Sequence, residues 1–207
     1  MSQDQDNIRI IKKRAGIIQK VVQFIFVIGV ILLIATLIVV AVVMLFASPQ
    51  KFNAVQGSLD WSIHYTLTNG SSFFIGIPFK IIRLSDSSSF NAKNAAIASL
   101  LSLSISTSFV LYGIKQVLTI FKSTANDITP FIIDNVRSLE KLAYTIIIYS
   151  VTVKILTNFI FLAFVQKMCI SFDSFYLSGV LTGMLIFFMA DILKYGVFLQ
   201  KEFDATL

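Results

Sequence analysis

Among 207 residues there is one cysteine, one histidine and one tryptophan, with three prolines and only 14% charged side chains. Cys169 alone cannot close an internal disulfide, and His64 alone cannot share a metal ion with a second histidine. The two fall in different loops, so neither a Ser-His-Asp nor a Cys-His nucleophile set can be assembled, and no glycine-rich phosphate loop is present. The expectation is a protein that is not an enzyme, with no metal centre and no cofactor. Charge is scarcest in the long apolar stretches: from Val21 to Gln50 there is none.

What the chain has instead is hydrocarbon. Hydrophobic residues make up 56% of it and phenylalanine occurs 20 times, while the mean hydropathy of +0.83 lies outside the usual range of a soluble domain. A bilayer core needs about 20 apolar residues in a helix. Runs at 21–47, 95–118, 142–166 and 174–199 meet that length and carry only Lys115, Lys154, Asp191 and Lys194 as charges. The expected fold is all-α and transmembrane, a four-helix bundle forming one membrane domain.

The basic residues give it a direction. Arg9, Lys12, Lys13, Arg14 and Lys20 lie in the segment 1–20; Lys115, Lys122, Arg137 and Lys141 lie in or beside the loop 119–141; Lys194 and Lys201 lie at the C-terminal end. Against these eleven, the other side receives five: Lys51, Lys80, Arg83 and Lys93 in the loop 48–94, and Lys167 in the loop 167–173. The positive-inside rule then puts both termini in the cytoplasm of a cell membrane, with the tail 200–207 inside. The net charge of +6 is thus a topology signal and an anionic-lipid contact, not a sign of nucleic-acid binding. A signal peptide has an apolar region of about 7–15 residues. The first run is roughly twice as long and ends Met44-Leu45-Phe46-Ala47-Ser48-Pro49, so an uncleaved anchor is expected.

In the first outer loop Trp61, Ile63, Tyr65 and Leu67 alternate with polar residues, and Asn69-Gly70 follows before a second apolar stretch from Phe73 to Ile82. Alternation leading into Asn-Gly predicts a small extracytoplasmic β-hairpin. Pro78 belongs at an edge or at a strand end, because it cannot donate to a ladder. The tract Ser85–Ser89 reads as a flexible return. In the second run Ser99, Ser102 and Ser106 follow helical spacing, which predicts close helix packing in lipid or, alternatively, a polar path. Gly179 and Gly183 form a small-xxx-small pair; packing inside the bundle and homodimerisation are both open.

Lys154 sits midway along the third run, where an isolated lysine costs about 2.5–3.5 kcal/mol. Depths of about 18 Å for Lys154 and about 12 Å for Asp191 above the inner edge follow from about 1.5 Å per residue. Helical side chains lean toward their own N-terminus, so on oppositely directed helices these two lean toward each other. An intramembrane Lys154–Asp191 ion pair is the expectation. Local bonds to Lys194 or Tyr195, or from Lys154 to a carbonyl or the serines of span two, are the alternatives.

The stretch from Phe121 to Lys141 is polar at Asp134, Arg137 and Lys141 and apolar at Val136, Leu139 and Leu142, so the third helix should begin before its span. Within it, Pro130-Phe131-x-x-Asp134-Asn135-Val136-Arg137-x-Leu139 is similar to a cytoplasmic "PF-x-x-E-N-V-x-x-L" pattern. The ending Gly196-x-x-Leu199-x-x-Glu202-x-Asp204-x-Thr206-Leu207 is similar to a terminal "G-x-x-L-x-x-E-x-D-L-T-I/V". With four spans in this order, the chain resembles the bacterial membrane family catalogued as domain of unknown function twenty-nine seventy-five. Where that family carries Ser or Thr and then Pro as a helix cap, this chain has Ile132 and Ile133, and Ala205 replaces the terminal Leu. The family has no established activity, and its members are often encoded beside a small helix-turn-helix regulator. The resemblance implies a cytoplasmic contact surface from Pro130, Phe131, Asn135, Arg137, Glu140, Gly196, Glu202 and Asp204. The expected function is a non-enzymatic regulatory or interaction partner in the bilayer; the alternative is an oligomeric transporter or ion pathway using Lys154 and Asp191.

Overall fold

The computed structural model describes residues 3–58, 60–66, 72–78, 90–126, 131–165 and 176–206. In chain order these form α1 (Gln3–Phe46), β1 (Phe52–Gln56), β2 (Asp60–Thr66), β3 (Ser72–Pro78), α2 (Ala92–Asn126), α3 (Ile133–Val165) and α4 (Leu177–Thr206), with a short 3-10 turn at Pro49–Lys51 after α1. Each of the four helices holds a stretch long and apolar enough to cross a membrane, as a multi-pass protein requires. The helices outrun the apolar stretches. Lys, Arg, Gln and Glu are good helix formers, so α1 absorbs the basic N-terminal segment and α4 the polar C-terminal end. The third helix begins at Ile133, ahead of its apolar stretch.

The chain divides into two units. One comprises Met1–Ile31, Ser108–Ser150 and Tyr176–Leu207, and the other Leu32–Thr107 and Val151–Phe175; they are called here the helical unit and the sheet-bearing unit.

In the sheet-bearing unit the strands pair antiparallel in the order β1-β2-β3. Ala54 faces Ile63 across the first pair, and Trp61 faces Ile77 across the second. β1 is an element that the alternation pattern did not announce. The period of two carries Trp61 and Ile63 to one face, where they are 0% and 1% exposed and join Ile77, Phe52, Phe161 and Val165 in one core. Ala95, Ala96 and Ala98 complete it; their small side chains let other groups come close to the first turns of α2. The Trp61 ring meets Phe90 edge-on at 5.2 Å. Phe73 and Phe74 stay exposed, and Phe74 lies beside His64 with ring centres 6.1 Å apart. Between β1 and β2 the Gly57 N–H donates to the Asp60 carbonyl at 2.8 Å. A Cβ on Gly57 would stand 2.8 Å from Asp60 Oδ1 and 3.0 Å from the Asp60 carbonyl oxygen, so a larger residue would have to displace Asp60. The Asn69-Gly70 turn, the Ser85–Ser89 tract and the loop 167–173 lie outside the described residues.

Helix ends in this unit are satisfied by side chains from the start of α2. Asn91 Oδ1 accepts from the Lys93 and Asn94 backbone N–H groups at 3.0 and 3.3 Å, an N-cap arrangement. Lys93 Nζ then donates to the Met44 carbonyl of α1 at 3.2 Å, and Asn94 Nδ2 to the Phe164 carbonyl of α3 at 3.1 Å. Carbonyls in the last turn of a helix have no partner within it, so both bonds fill vacancies that the helices leave.

The helical unit packs through glycine and through small contacts. A Cβ on Gly29 of α1 would come within 2.6 Å of Leu111 of α2, and one on Gly113 of α2 within 3.4 Å of Leu142 of α3. Two buried hydroxyls in this unit bond their own helix: Thr145 Oγ1 donates to the Lys141 carbonyl at 2.7 Å and Ser150 Oγ to that of Ile146 at 2.7 Å. Such bonds to the carbonyl one turn back satisfy these two hydroxyls without water.

Candidate functional site

The resemblance drew attention to two stretches 60 or more residues apart in sequence, around Phe131 and around Gly196, and both belong to the helical unit. The local chain explains how the first is held. Ile132 gives its backbone carbonyl to the N–H groups of Asn135 at 3.1 Å and Val136 at 3.3 Å, opening α3 without a side-chain cap. The first turns then bury Asn135, Val136 and Ser138, while Asp134 and Arg137 face outward. Arg137 Nη1 reaches Asp134 Oδ1 at 3.5 Å with both side chains largely exposed, so the pair adds little stability. Asp134, in the first turn, also suits the positive end of the helix dipole. Glu140 is half-buried one turn further on.

The second stretch meets the first at one contact. A Cβ on Gly196 of α4 would lie 2.6 Å from Phe131 Cδ1 and 2.8 Å from Cε1, so the Phe131 ring rests on the bare backbone of Gly196. Further along α4 Glu202 is exposed. Pro130 and the Asp204 side chain lie outside the described residues. The contact thus brings Phe131 and Gly196 together, and the exposed Arg137 and Glu202 belong to the same unit.

The other glycines of α4 also face α3. A Cβ on Gly179 would run into Ser150 Oγ, and one on Gly183 into Ile147 Cγ1 and to 3.1 Å from the Ala143 carbonyl. Aromatic packing accompanies them: Tyr144 and Phe187 meet edge-on at 4.6 Å. In α2, Ser99, Ser102 and Ser106 are half-buried, with the Ser102 Oγ buried and lacking a hydrogen-bond partner. Deeper burial falls on the alanines at 95, 96 and 98 and on Ser104, whose hydroxyl donates to the Leu100 carbonyl at 2.9 Å. Lys154 belongs to the sheet-bearing unit and is half-buried; Asp191 belongs to the helical unit and is exposed, halfway along α4. No group of three or more His, Cys, Asp or Glu side chains able to hold a metal occurs among the described residues.

Sequence reasoning missed the role of Asn91, Lys93 and Asn94, whose only clue was an Asn placed immediately before an apolar run. Compared with family models, with curated proteins and with solved structures, the chain matches none.

Proposed function

We propose that the chain is a non-enzymatic regulatory or interaction protein of the bacterial cytoplasmic membrane, with both termini inside, which receives a small cytoplasmic partner on the ends of α3 and α4. The observation that carries this reading is the Phe131 ring seated on Gly196. Two segments that resemblance alone picked out share a contact, and six residues further along the chain from Phe131 and from Gly196 the charged Arg137 and Glu202 are exposed. Exposed charge on the two segments that this contact joins suits recognition, because charged side chains at an interface steer and select a partner. By resemblance to the four-span family whose motifs these segments are similar to, the partner we propose is a small cytoplasmic helix-turn-helix regulator.

The test is capture of that regulator by the detergent-solubilised protein. Binding should fall by about tenfold on Arg137→Glu or Glu202→Lys, the loss expected when a strong contact is removed, and Gly179→Ala should leave it unchanged. The second reading, an oligomeric ion or proton pathway through Lys154 and Asp191, draws on an exposed carboxylate halfway along an apolar helix. Ion flux in liposomes that disappears with Lys154→Met, together with no capture of the regulator, would replace the first reading by the second.

A further inference from the structure

One column of side chains on α4 stays exposed along most of the helix. Leu181, Met184, Phe188, Asp191, Tyr195 and Phe198 follow one another at alternating intervals of three and four residues. All six are exposed, Tyr195 and the apolar ones to between 53% and 64%. That alternation averages about 3.5 residues, the repeat that keeps one seam of a helix against a parallel neighbour. A different side of α4 is already taken: Gly179 and Gly183 lie against Ser150 and Ile147 of α3, and Ala190 and Val197 are buried. The small-xxx-small pair is therefore not what a second copy would meet.

Asp191 sets this column apart from an ordinary lipid-facing surface. It lies halfway along a helix that is long and apolar enough to cross a membrane. Hydrocarbon offers an exposed carboxylate no hydrogen bond, and ionisable side chains at such depth face protein or enclosed water. Tyr195, one turn further along, adds a hydroxyl to the same column. Among the described residues neither side chain takes part in a hydrogen bond or an ion pair.

We infer that this column is the interface of a homodimer, two α4 helices packing in parallel about a two-fold axis, with each Asp191 accepting a hydrogen bond from the partner's Tyr195 hydroxyl. The column itself selects the occupant. All copies in one membrane share an orientation, so their α4 helices meet parallel, and a two-fold axis sets one surface against itself. In such a pair a seam residue enters the gap between seam residues of the facing helix, and the gap opposite Asp191 is bordered by Phe188 and Tyr195. Helical side chains lean toward their own N-terminus, which carries the Tyr195 hydroxyl back toward the depth of Asp191. The tyrosine bonds draw the two carboxylates to opposite sides of the axis. Donor and acceptor thus complement each other within one sequence, whereas a foreign helix carrying a lysine would satisfy Asp191 and leave Tyr195 unused.

The inference rests on the membrane-spanning reading of α4 and is independent of the cytoplasmic partner. Full-length chains labelled at the N-terminus with donor or acceptor are reconstituted together in phosphatidylcholine vesicles, and energy transfer is followed as added lipid dilutes the protein. Transfer should follow a monomer–dimer equilibrium. Tyr195→Phe should weaken association by about tenfold, the loss expected of two symmetry-related hydrogen bonds between membrane helices. Asp191→Leu should weaken it at least as much, and Asp191→Asn, which still accepts from the hydroxyl, should retain it. In a Cys169→Ser background, Phe188→Cys and Phe198→Cys should give disulfide-linked dimers under mild oxidation, and Met189→Cys, off the column, should not. Transfer in the native chain that shows no dimer, association untouched by both Asp191→Leu and Tyr195→Phe, or crosslinking of Met189→Cys equal to that of Phe188→Cys overturns the interface. The cysteine chains keep Asp191 and Tyr195, so they decide the matter even if Asp191→Leu fails to fold. Release of the chain from membranes by alkaline carbonate would instead overturn the spanning reading itself.

Discussion

The two units solve the same packing problem by opposite means. The sheet-bearing unit has a core of large side chains, with Trp61, Ile63, Ile77 and Phe161 at 2% exposure or less. It secures its helix ends with side-chain bonds from Lys93 and Asn94 to the carbonyls of Met44 and Phe164. The helical unit relies on bare backbone: Gly29, Gly179, Gly183 and Gly196 each bring a neighbouring side chain within van der Waals distance of a helix. Water rewards burying large apolar groups. Lipid does not, because its tails are as apolar as leucine, and there close approach of backbones is what holds helices together. The contrast is between a core filled as water would have it and helices brought together largely as lipid would have it.

The comparison can be broken most decisively at Trp61. Trp61→Ala should cost about 3–5 kcal/mol, read as early loss of hydrogen-exchange protection in β2 and β3 while amides of α4 keep theirs. Simultaneous loss in both regions would mean that the units do not unfold separately. Gly183→Leu should come next, at about 1–3 kcal/mol of overpacking against Ile147 and the Ala143 carbonyl. It is measured as a lower melting temperature in detergent, and in hydrogen exchange it should loosen α4 and leave the sheet protected. The smallest effect belongs to Arg137→Ala, within about 0.5 kcal/mol because its pairing with Asp134 is exposed. If that change instead destabilised the fold by as much as Gly183→Leu, Arg137 would be structural, and its proposed part in partner contact would fall.

Legibility followed the physics of each element. The four apolar helices were plain, because a run of bilayer length with almost no charge is longer and more apolar than a soluble core helix needs to be. The period of two in Trp61, Ile63 and Tyr65 corresponds to the buried, buried, half-buried sequence of those residues in β2. β1 was illegible: Phe52, Asn53, Ala54, Val55 and Gln56 alternate weakly, and Val55 stays exposed, so only pairing with β2 makes it a strand. The contact of Phe131 with Gly196 joins residues far apart in sequence, and such a pairing leaves no periodic mark. Resemblance selected both residues as candidates without indicating that they touch. Lys93 counted only as a charge on one side of the membrane, since its bond to Met44 depends on where α1 ends.

The hydroxyls bonded one turn back have a consequence for how the protein is made. Thr36, Ser104, Thr119, Thr145, Ser150 and Thr182 each find an acceptor on their own helix. No helix must await a neighbour before these groups can leave water. Each segment can therefore be released sideways into the bilayer as it is synthesised, and assembly can follow as a separate step in which glycines choose the partners within the helical unit.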